Sequence, residues 1–597
     1  MSEVRPPERA QASASTRLAA LVWYAGAALT FWRGGYTPMR GSDLWWHLAS
    51  GRWIFEHRQI PIEDPFSFTA TKAWVVDAWL SDLVLYLWSR VFGEQSLVYW
   101  KWLVIVATFL VLMRLLKRLS GSHLAAYLAA ACALIGASPF LDIRPQIQSL
   151  LCYAILLDLC VARERLSWWT VPLLVIWVNL HAGFALGLLT LPILSIPFLL
   201  KPDQRNRTLR ILGACVLACL VNPNGINALS QPVLYALPSA SIFKNIKEWS
   251  PPFTEIPGGI ESPFYPYLIA LFTGSVAVHA ISRFRARPDA KVQPDAKAQP
   301  DAKAQPYAKA RSAAAIAISM GALALAMSLT SRRFVPVFAV TQSLLVAMAF
   351  GPALRAATAR LPALILPAGA CAVGVCLLWP FPQRAYAFHY RVAESSFPVE
   401  VANFIELNEV SGRVFSSYGW GGYLHHRTRG TMSVYVDGRA NAVFDEETYL
   451  NYLKVYSRLP GWEAIVEGSG ADFFLWPVTE VDQAKLLLKT GRWRILYGDA
   501  VSVLLVRKSV DWLRDRIPTP ESAAKYFARG EAARKDVKLA EAIGFFERAL
   551  EFEPHHEGAC KMLSIAERQS GNEARSVEVL ERCHEVFPRY ADEPRNR

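Results

Sequence analysis

The sequence predicts an α-helical polytopic membrane protein, followed by a small extracytoplasmic α/β domain and a pair of helical repeats. Three observations carry that prediction. First, 53% of the 597 residues are hydrophobic while 19% are charged, and mean hydropathy is +0.21. That mixture fits an apolar membrane part joined to a soluble part. Second, long apolar runs recur as far as residue 380 and then stop. Third, residues 384–510 switch to alternating helical and strand-like stretches, and 520–590 return to helix with an internal repeat. Twenty tryptophans suit the aromatic belts at membrane–water interfaces.

The net charge of +13 does not point to nucleic acid. The basic residues sit mostly in short loops between apolar runs, which is how orientation signals are distributed. Residues 1–16 are polar and lack the pattern of a cleaved signal peptide, and read as a cytoplasmic tail. Apolar runs follow at 17–33, 97–116, 123–141, 145–162, 168–181, 183–200, 209–222, 264–282, 313–330, 334–350 and 361–380. Read as spans they number about eleven, several of them shorter than the ~20 residues that cross a bilayer comfortably.

Lys/Arg clusters orient these runs. Arg5, Arg9 and Arg17 precede the first, and Arg114, Lys117 and Arg118 follow the second. Arg163 and Arg165, then Lys201, Arg205, Arg207 and Arg210, then Arg283, Arg285 and Arg287, and finally Arg355 and Arg360 continue the pattern. All fall on the N-terminal side, so the N-terminus is cytoplasmic, and an odd number of spans places the chain after residue 380 outside. Within the membrane domain, 17–383, residues 34–96 form a long first outer loop. Its WLSDLVLYLWSRVFG stretch is amphipathic and suits a helix on the membrane surface. Residues 283–312 carry a PDAKAQ-type repeat without large apolar side chains and read as a flexible cytoplasmic linker.

In the outer α/β domain, 384–515, helices are expected at 398–409, 445–458 and 480–490. Strands are expected at 413–419, 433–438, 472–478 and 493–506. In residues 516–590, Tyr526, Gly530, Ala542, Phe546, Ala549 and Pro554 match the tetratricopeptide pattern, and Leu563, Leu580 and Pro588 match it more weakly. The nine cysteines show no zinc spacing. Cys560 and Cys583 fall on the two helices of the second repeat, as a disulfide pair or as two buried thiols.

Some polar residues do not fit a bland membrane protein. Asp43 follows the first span on the outer side, with His47 four residues on, so a helix would face both the same way. Trp45 and Trp46 would point elsewhere, to the interface. Asp64, in EDPFSF, and Asp77 lie in the same loop. Asp142 and Arg144 occupy a tight outer turn, and Arg332 and Arg333 sit at the outer end of a span. Arginine on that side needs a reason. One is a lipid-linked phosphate, which its planar fork of donors binds well; the bland alternative is an ion pair with Asp142 or an anionic headgroup. Asn179 and His181 lie near outer span ends, where polar groups face a cavity or another helix. Asn222 and Asn224 read as turn formers.

Together these pieces resemble the GT-C glycosyltransferase superfamily: multispan proteins with a cytoplasmic N-terminus, a catalytic acid in a long first outer loop, and often a soluble domain after the last span. SDLWWHL resembles the family's loop motif and puts Asp43 in the acid position. Leu44 stands where a second acid is usual, which puts in doubt any role needing two adjacent carboxylates. Asp142 matches a tendency toward another acid in the second outer loop. The DLWWHL, DPFS and Gly419–Leu424 stretches are similar to those of bacterial relatives of this layout, and tetratricopeptide units after such a membrane part are similar to O-mannosyltransferases. The resemblance implies an inner-membrane enzyme that moves a sugar from a polyprenyl-phosphate donor to an extracytoplasmic acceptor. The lipid phosphate is the leaving group, and no Walker-type loop is present or needed. On that reading Asp43 is the base, and Arg144, Arg332 and Arg333 hold the phosphate. His47, Asp64 and Asp142 orient acceptor or sugar, or ligate a divalent ion such as Mg²⁺ or Mn²⁺, Asp142 being the metal candidate. Asn179 and His181 complete the substrate-binding set, and direct displacement would invert the anomeric carbon. Other readings are a non-catalytic scaffold for envelope polysaccharide, binding through the outer domains and protein partners of the repeats, and a transporter.

Overall fold

The computed structural model describes residues 14–35, 42–236, 247–254, 262–285, 304–378, 397–499, 501–513, 523–552 and 556–586. The chain divides into two compact units. The first comprises Met1–Gly41, Ser50–Ile60 and Val75–Tyr390, and the second Ser42–Ala49, Pro61–Trp74 and Arg391–Arg597. Two pieces of the 34–96 segment thus cluster with the α/β domain rather than with the apolar helices.

The first unit is all helical. Its helices are α1 (Ala14–Gly35), the second half of α2 (Asp43–His57), α3 (Trp79–Phe92), α4 (Leu97–Ser120), α5 (His123–Ala137), α6 (Pro145–Cys160) and α7 (Thr170–Leu180). They continue with α8 (Phe184–Leu199), α9 (Pro202–Ala218), α10 (Asn227–Ala236), α11 (Tyr265–Arg285), α12 (Ala304–Thr330), α13 (Val335–Thr358) and α14 (Ile365–Leu378). Every apolar run of the sequence lies in or overlaps one of them. Among the described residues, five stretches are long and apolar enough to cross a membrane: Glu94–Ser120, His123–Phe140, Tyr265–Ser282, Ser312–Thr330 and Arg332–Thr358. Five such segments in one chain mark a multi-pass membrane protein. Helices α6, α7, α8 and α14 are apolar but shorter. Of the linker expected at 283–312, residues 286–303 lie outside the described residues, while its two ends belong to α11 and α12.

Small residues let these helices approach. A Cβ on Gly26 of α1 would lie 2.6 Å from the Cys371 backbone nitrogen of α14, and one on Gly374 would lie 2.7 Å from Cβ of Leu29. Close backbone approach compensates for the weak hydrophobic drive between helices in lipid. Helix α13 is enclosed by α4, α5, α11 and α12. Its Phe338 packs edge-on against Tyr265 and Phe272. The amphipathic helix expected after Val76 forms as α3, yet its buried face carries Ser81 and Asp82 beside Leu85.

In the second unit a five-stranded sheet has the order β2-β1-β3-β5-β4. The strands are β1 (Gly412–Ser416), β2 (Met432–Val434), β3 (Phe473–Pro477), β4 (Trp493–Gly498) and β5 (Ser502–Arg507). β1 runs parallel to β2 and β3, and β5 runs antiparallel to β3 and β4. Nearly every residue of β3 and β5 is buried, as their continuous apolar runs require of central strands. Helices α15 (Val399–Leu407), α16 (Gly421–Arg427), α17 (Glu446–Tyr456), α18 (Trp462–Gly468) and α19 (Asp482–Lys489) surround the sheet sequence. The expected strands and helices form within a few residues; the short α16 and α18 are additions. Loop residues Phe66 and Phe68 pair with Val434, at 3.1 and 3.2 Å, through a parallel bridge at Ser67. This segment covers the otherwise free edge of β2.

The chain continues into α20 (Ala523–Lys535), α21 (Leu539–Phe552), α22 (Glu557–Gln569) and α23 (Glu573–Val586), each packed on the next. Ala542, Phe546, Ala549 and Leu563 are buried, and a Cβ on Gly530 would lie 2.5 Å from the Phe546 ring. Pro554 and Pro588 lie outside the described residues. Cys560 is disulfide-bonded; the Cys583 side chain lies outside those described.

Candidate functional site

In the first unit Arg144, Arg332 and Arg333 all engage the Lys247–Thr254 segment. Arg144 donates to Glu248 at 2.9 Å, so Glu248 is one of its ion-pair partners. Burial raises the Glu248 carboxyl, but Arg144 and Arg333 outweigh it and hold the group below its ordinary value. Arg332 is buried, with its backbone N–H on the Ser250 carbonyl at 3.0 Å and its guanidinium on the carbonyls of Pro251 and Thr254. Arg333 lies 5.0 Å over the Trp249 ring and is half-buried.

The polar residues expected at span ends are tied into the bundle. Trp79 Nε1 donates to Asn179 Oδ1 at 2.8 Å, and Asn179 Nδ2 donates to the Val175 and Val221 carbonyls. At His181, the Gly183 N–H reaches Nδ1 at 3.0 Å and Ser149 Oγ lies 2.9 Å from the same nitrogen. Nδ1 is therefore an acceptor, and in the neutral ring Nε2 carries the proton. Asn222 closes a turn by accepting from the Asn224 N–H at 2.8 Å. Asp142 accepts from the Ile143 N–H and acts electrostatically on buried Lys101. Among the described residues no three His, Cys, Asp or Glu side chains gather as a metal site.

In the second unit, Asp43 is the first residue of α2, where a carboxylate suits the positive end of the helix. Trp45 is only 1% exposed. It packs against Phe397, Tyr423 and His426, with ring centroids 5.1–5.8 Å away. It is a core residue, not the interfacial anchor expected, because the Gly421–Arg427 helix and Phe397 cover it. His47 is also buried, its ring 3.6 Å from that of Trp46. Asp43 itself is partly exposed.

The segment Val436–Gly438–Arg439 underlies Asp43. A Cβ on Gly438 would lie 2.9 Å from Asp43 Oδ1 and 3.4 Å from Trp46, so a side chain there would push the Asp43 carboxylate from its place. Beside it, Arg439 forms a two-sided fork. Its Nη2 donates to Asp64 Oδ2 at 3.0 Å, and its Nη1 donates to Asp64 Oδ1. Its Nε donates to Asp437 Oδ1 at 2.9 Å, and Nη2 also donates to Asp437 Oδ2 at 2.7 Å. Asp64 further accepts the N–H groups of Phe66 and Ser67, each at 3.1 Å. His425 Nε2 lies 3.1 Å from Asp437 Oδ2; an ionised carboxylate has no proton to give, so the imidazole donates. These three side chains of Asp64, Asp437 and Arg439 are 0–1% exposed.

Burial pushes the Asp437 carboxyl up, but the Arg439 charge and the hydrogen bonds from His425 and Arg439 outweigh it and hold it well below the ordinary carboxylate range. Tyr418 is driven well above its ordinary value, by burial first and then by Asp43, Tyr449, Asp437 and Tyr452. It is a neutral O–H group close to Asp43. Sequence reading singled out Asp43, His47 and Asp64 but missed Asp437, Arg439, His425 and Tyr418. The available signal was VDGR at 436–439, a glycine flanked by an acid and a base just beyond β2.

No known family model matches the chain, and no curated protein does. Among solved structures, it is similar to the oligosaccharyltransferase of Archaeoglobus fulgidus in its apo form, with a TM-score of 0.47 and 13% identity over 78% of this chain and 69% of that one. The same organism's AglB with an inhibitory peptide and a dolichol-phosphate gives 0.44, 13%, 78% and 69%. ArnT from Cupriavidus metallidurans bound to undecaprenyl phosphate gives 0.43 and 14%, covering 82% of this chain and 97% of that one. Similarity at this level transfers no residue role to this chain.

Proposed function

We propose that this protein is an integral membrane glycosyltransferase that moves a sugar from a polyprenyl-phosphate-linked donor to an extracytoplasmic acceptor. One observation carries the reading. Of the three carboxylates around the Val436–Arg439 segment, Asp64 and Asp437 have buried side chains spent on Arg439, while Asp43 stays partly exposed. It sits at the first residue of α2, with its carboxylate close over Gly438. An accessible carboxylate held this way suits a base that takes the proton of an acceptor hydroxyl, a role worth about 10² to 10⁴ in rate. Neutral Tyr418 supplies a nearby hydrogen-bond donor, and buried His47 supports the helix turn that carries Asp43. Asp64 is a positioning residue on this reading.

Among the arginines of the first unit, Arg333 is the best candidate for a lipid phosphate. Arg332 already serves carbonyls and Arg144 serves Glu248, whereas Arg333 is half-buried with its guanidinium face on Trp249. Asn179 and His181 remain candidates for sugar or acceptor contacts. Direct attack by the acceptor oxygen on the anomeric carbon breaks the sugar–phosphate bond, leaves the lipid phosphate and inverts that carbon. The protein is proposed to lie in a bacterial inner membrane, and the packing of Gly530 and Phe546 supports tetratricopeptide-like repeats able to take a protein partner.

The test is transfer from a radiolabelled polyprenyl-phosphate sugar in proteoliposomes. Asp43→Asn should lose transfer by at least about a hundredfold while inserting into membranes as the parent does. Full activity in that variant sinks the assignment. An inverted product anomer is expected, and a retained one overturns the single-displacement step.

A further inference from the structure

A second charged site lies in the first unit, among basic residues that the sequence reading took only as orientation signals. Three arginines converge on one acid, Asp158 of α6, whose side chain is 1% exposed. Arg118 Nη1 and Arg163 Nη2 each lie 3.1 Å from its oxygens, and Arg114 Nη2 pairs with Oδ2. Arg118 also donates to the carbonyls of Asp158 and Val161, and Arg163 Nε to the Asp158 carbonyl at 2.9 Å. Three guanidinium groups against one carboxylate leave the cluster strongly positive. Arg118 is largely spent, but Arg114 is 60% exposed with a single terminal nitrogen engaged, and Arg163 is 38% exposed.

The same loop carries a depth marker. Trp168 and Trp169, a few residues after Arg163, are 47% and 72% exposed. Adjacent exposed indoles on a membrane protein belong at headgroup level. Arg207 of α9 donates to the Leu166 carbonyl and so anchors the loop between Arg163 and the tryptophans.

We propose that Arg114 and Arg163, pre-aimed by Asp158 and Arg118, bind the phosphate of an anionic lipid headgroup. The Lys/Arg pattern assigns this face to the cytoplasmic leaflet. Asp158 holds the guanidinium planes together against their mutual repulsion, and the donors it leaves over match the oxygens of a phosphate. The exposed indoles would flank the glycerol region of the same lipid.

Native mass spectrometry of the full chain, released from detergent and titrated with phosphatidylglycerol or phosphatidylcholine, tests this. Phosphatidylglycerol adducts should persist to higher activation energy than phosphatidylcholine adducts. Arg114→Gln should weaken phosphatidylglycerol binding about fivefold, and the Arg114→Gln, Arg163→Gln pair further. Arg205→Gln with Arg210→Gln removes the same charge from exposed positions of α9 and should leave binding unchanged. An equal loss in that control means diffuse attraction and overturns the site. Competition of the adducts by millimolar inorganic phosphate reassigns it to a soluble phosphate compound and overturns the lipid. Arg114 is mostly exposed, so its replacement keeps the fold; an unchanged thermal transition verifies that. Sugar transfer is measured apart from these adducts, so neither result depends on the other.

Discussion

Arg439 is the residue on which the second unit turns. It balances Asp64 and Asp437 from within the protein, and removing one partner of a buried pair costs about 3–5 kcal/mol because the other charge stays behind. Arg439→Met leaves two buried carboxylates, so we expect a drop of that order in the unfolding free energy of the sheet domain, read by urea titration with tryptophan fluorescence. Its acid response follows from Asp437. That carboxyl is held below its unfolded value of about 3.9, so folding favours the ionised form. The stabilisation is complete at neutral pH and fades as pH falls below about 4. Asp437→Asn should flatten this acid dependence, and an unaltered acid transition would count against the assignment. Gly438→Ala separates site from fold. The added methyl meets Asp43 Oδ1 at 2.9 Å, so transfer should fall at least about tenfold with little change in the urea midpoint.

At the scale of elements, period and length in the sequence foretold most of what forms. The helices at 399–407, 446–456 and 482–489 and all five strands fall where alternation and apolar runs put them. The misses have physical causes. Helix α16 begins with two glycines, which local propensity counts against, and it is held by packing of Tyr423 and Leu424 into the core. Trp45 read as an interfacial anchor because nothing local says which partners will cover it. Helix α3 reads as amphipathic, but its enclosed side is the polar one: Ser81 donates to the Leu180 carbonyl at 2.7 Å. The α1–α14 pair depends on two glycines. Gly26→Val drives a side chain against the Cys371 backbone nitrogen, which cannot swing away. It should destabilise the detergent-solubilised protein by about 1–3 kcal/mol, seen as a lower thermal midpoint; Gly369→Val, with nothing within 4 Å, is the control.

For the whole molecule, the charge distribution makes one strong commitment. If the basic clusters lie inside, the N-terminus is cytoplasmic and the second unit is outside. The disulfide at Cys560 favours an oxidising compartment for that unit. Alkaline phosphatase fused after Arg597 should then be active, and green fluorescent protein fused before Met1 should fluoresce. The reverse pattern would invert the topology and remove Asp43 from the outer side.

What the sequence by itself determined is where the chain is helix, where it is strand, and which loops carry unusual charge. Those are local properties, set by apolar period, run length and the few residues around each turn. It also singled out Asp43, because an acid and a histidine four apart on a helix after an apolar run are visible without partners. Only the tertiary structure decided which charges meet. Asp64 and Arg439 are 375 positions apart, and they pair because a loop segment adds itself to the edge of β2. That register depends on hydrogen bonds between remote backbones, which no local pattern encodes. It turns one candidate acid into a buried structural ion and leaves Asp43 as the accessible one.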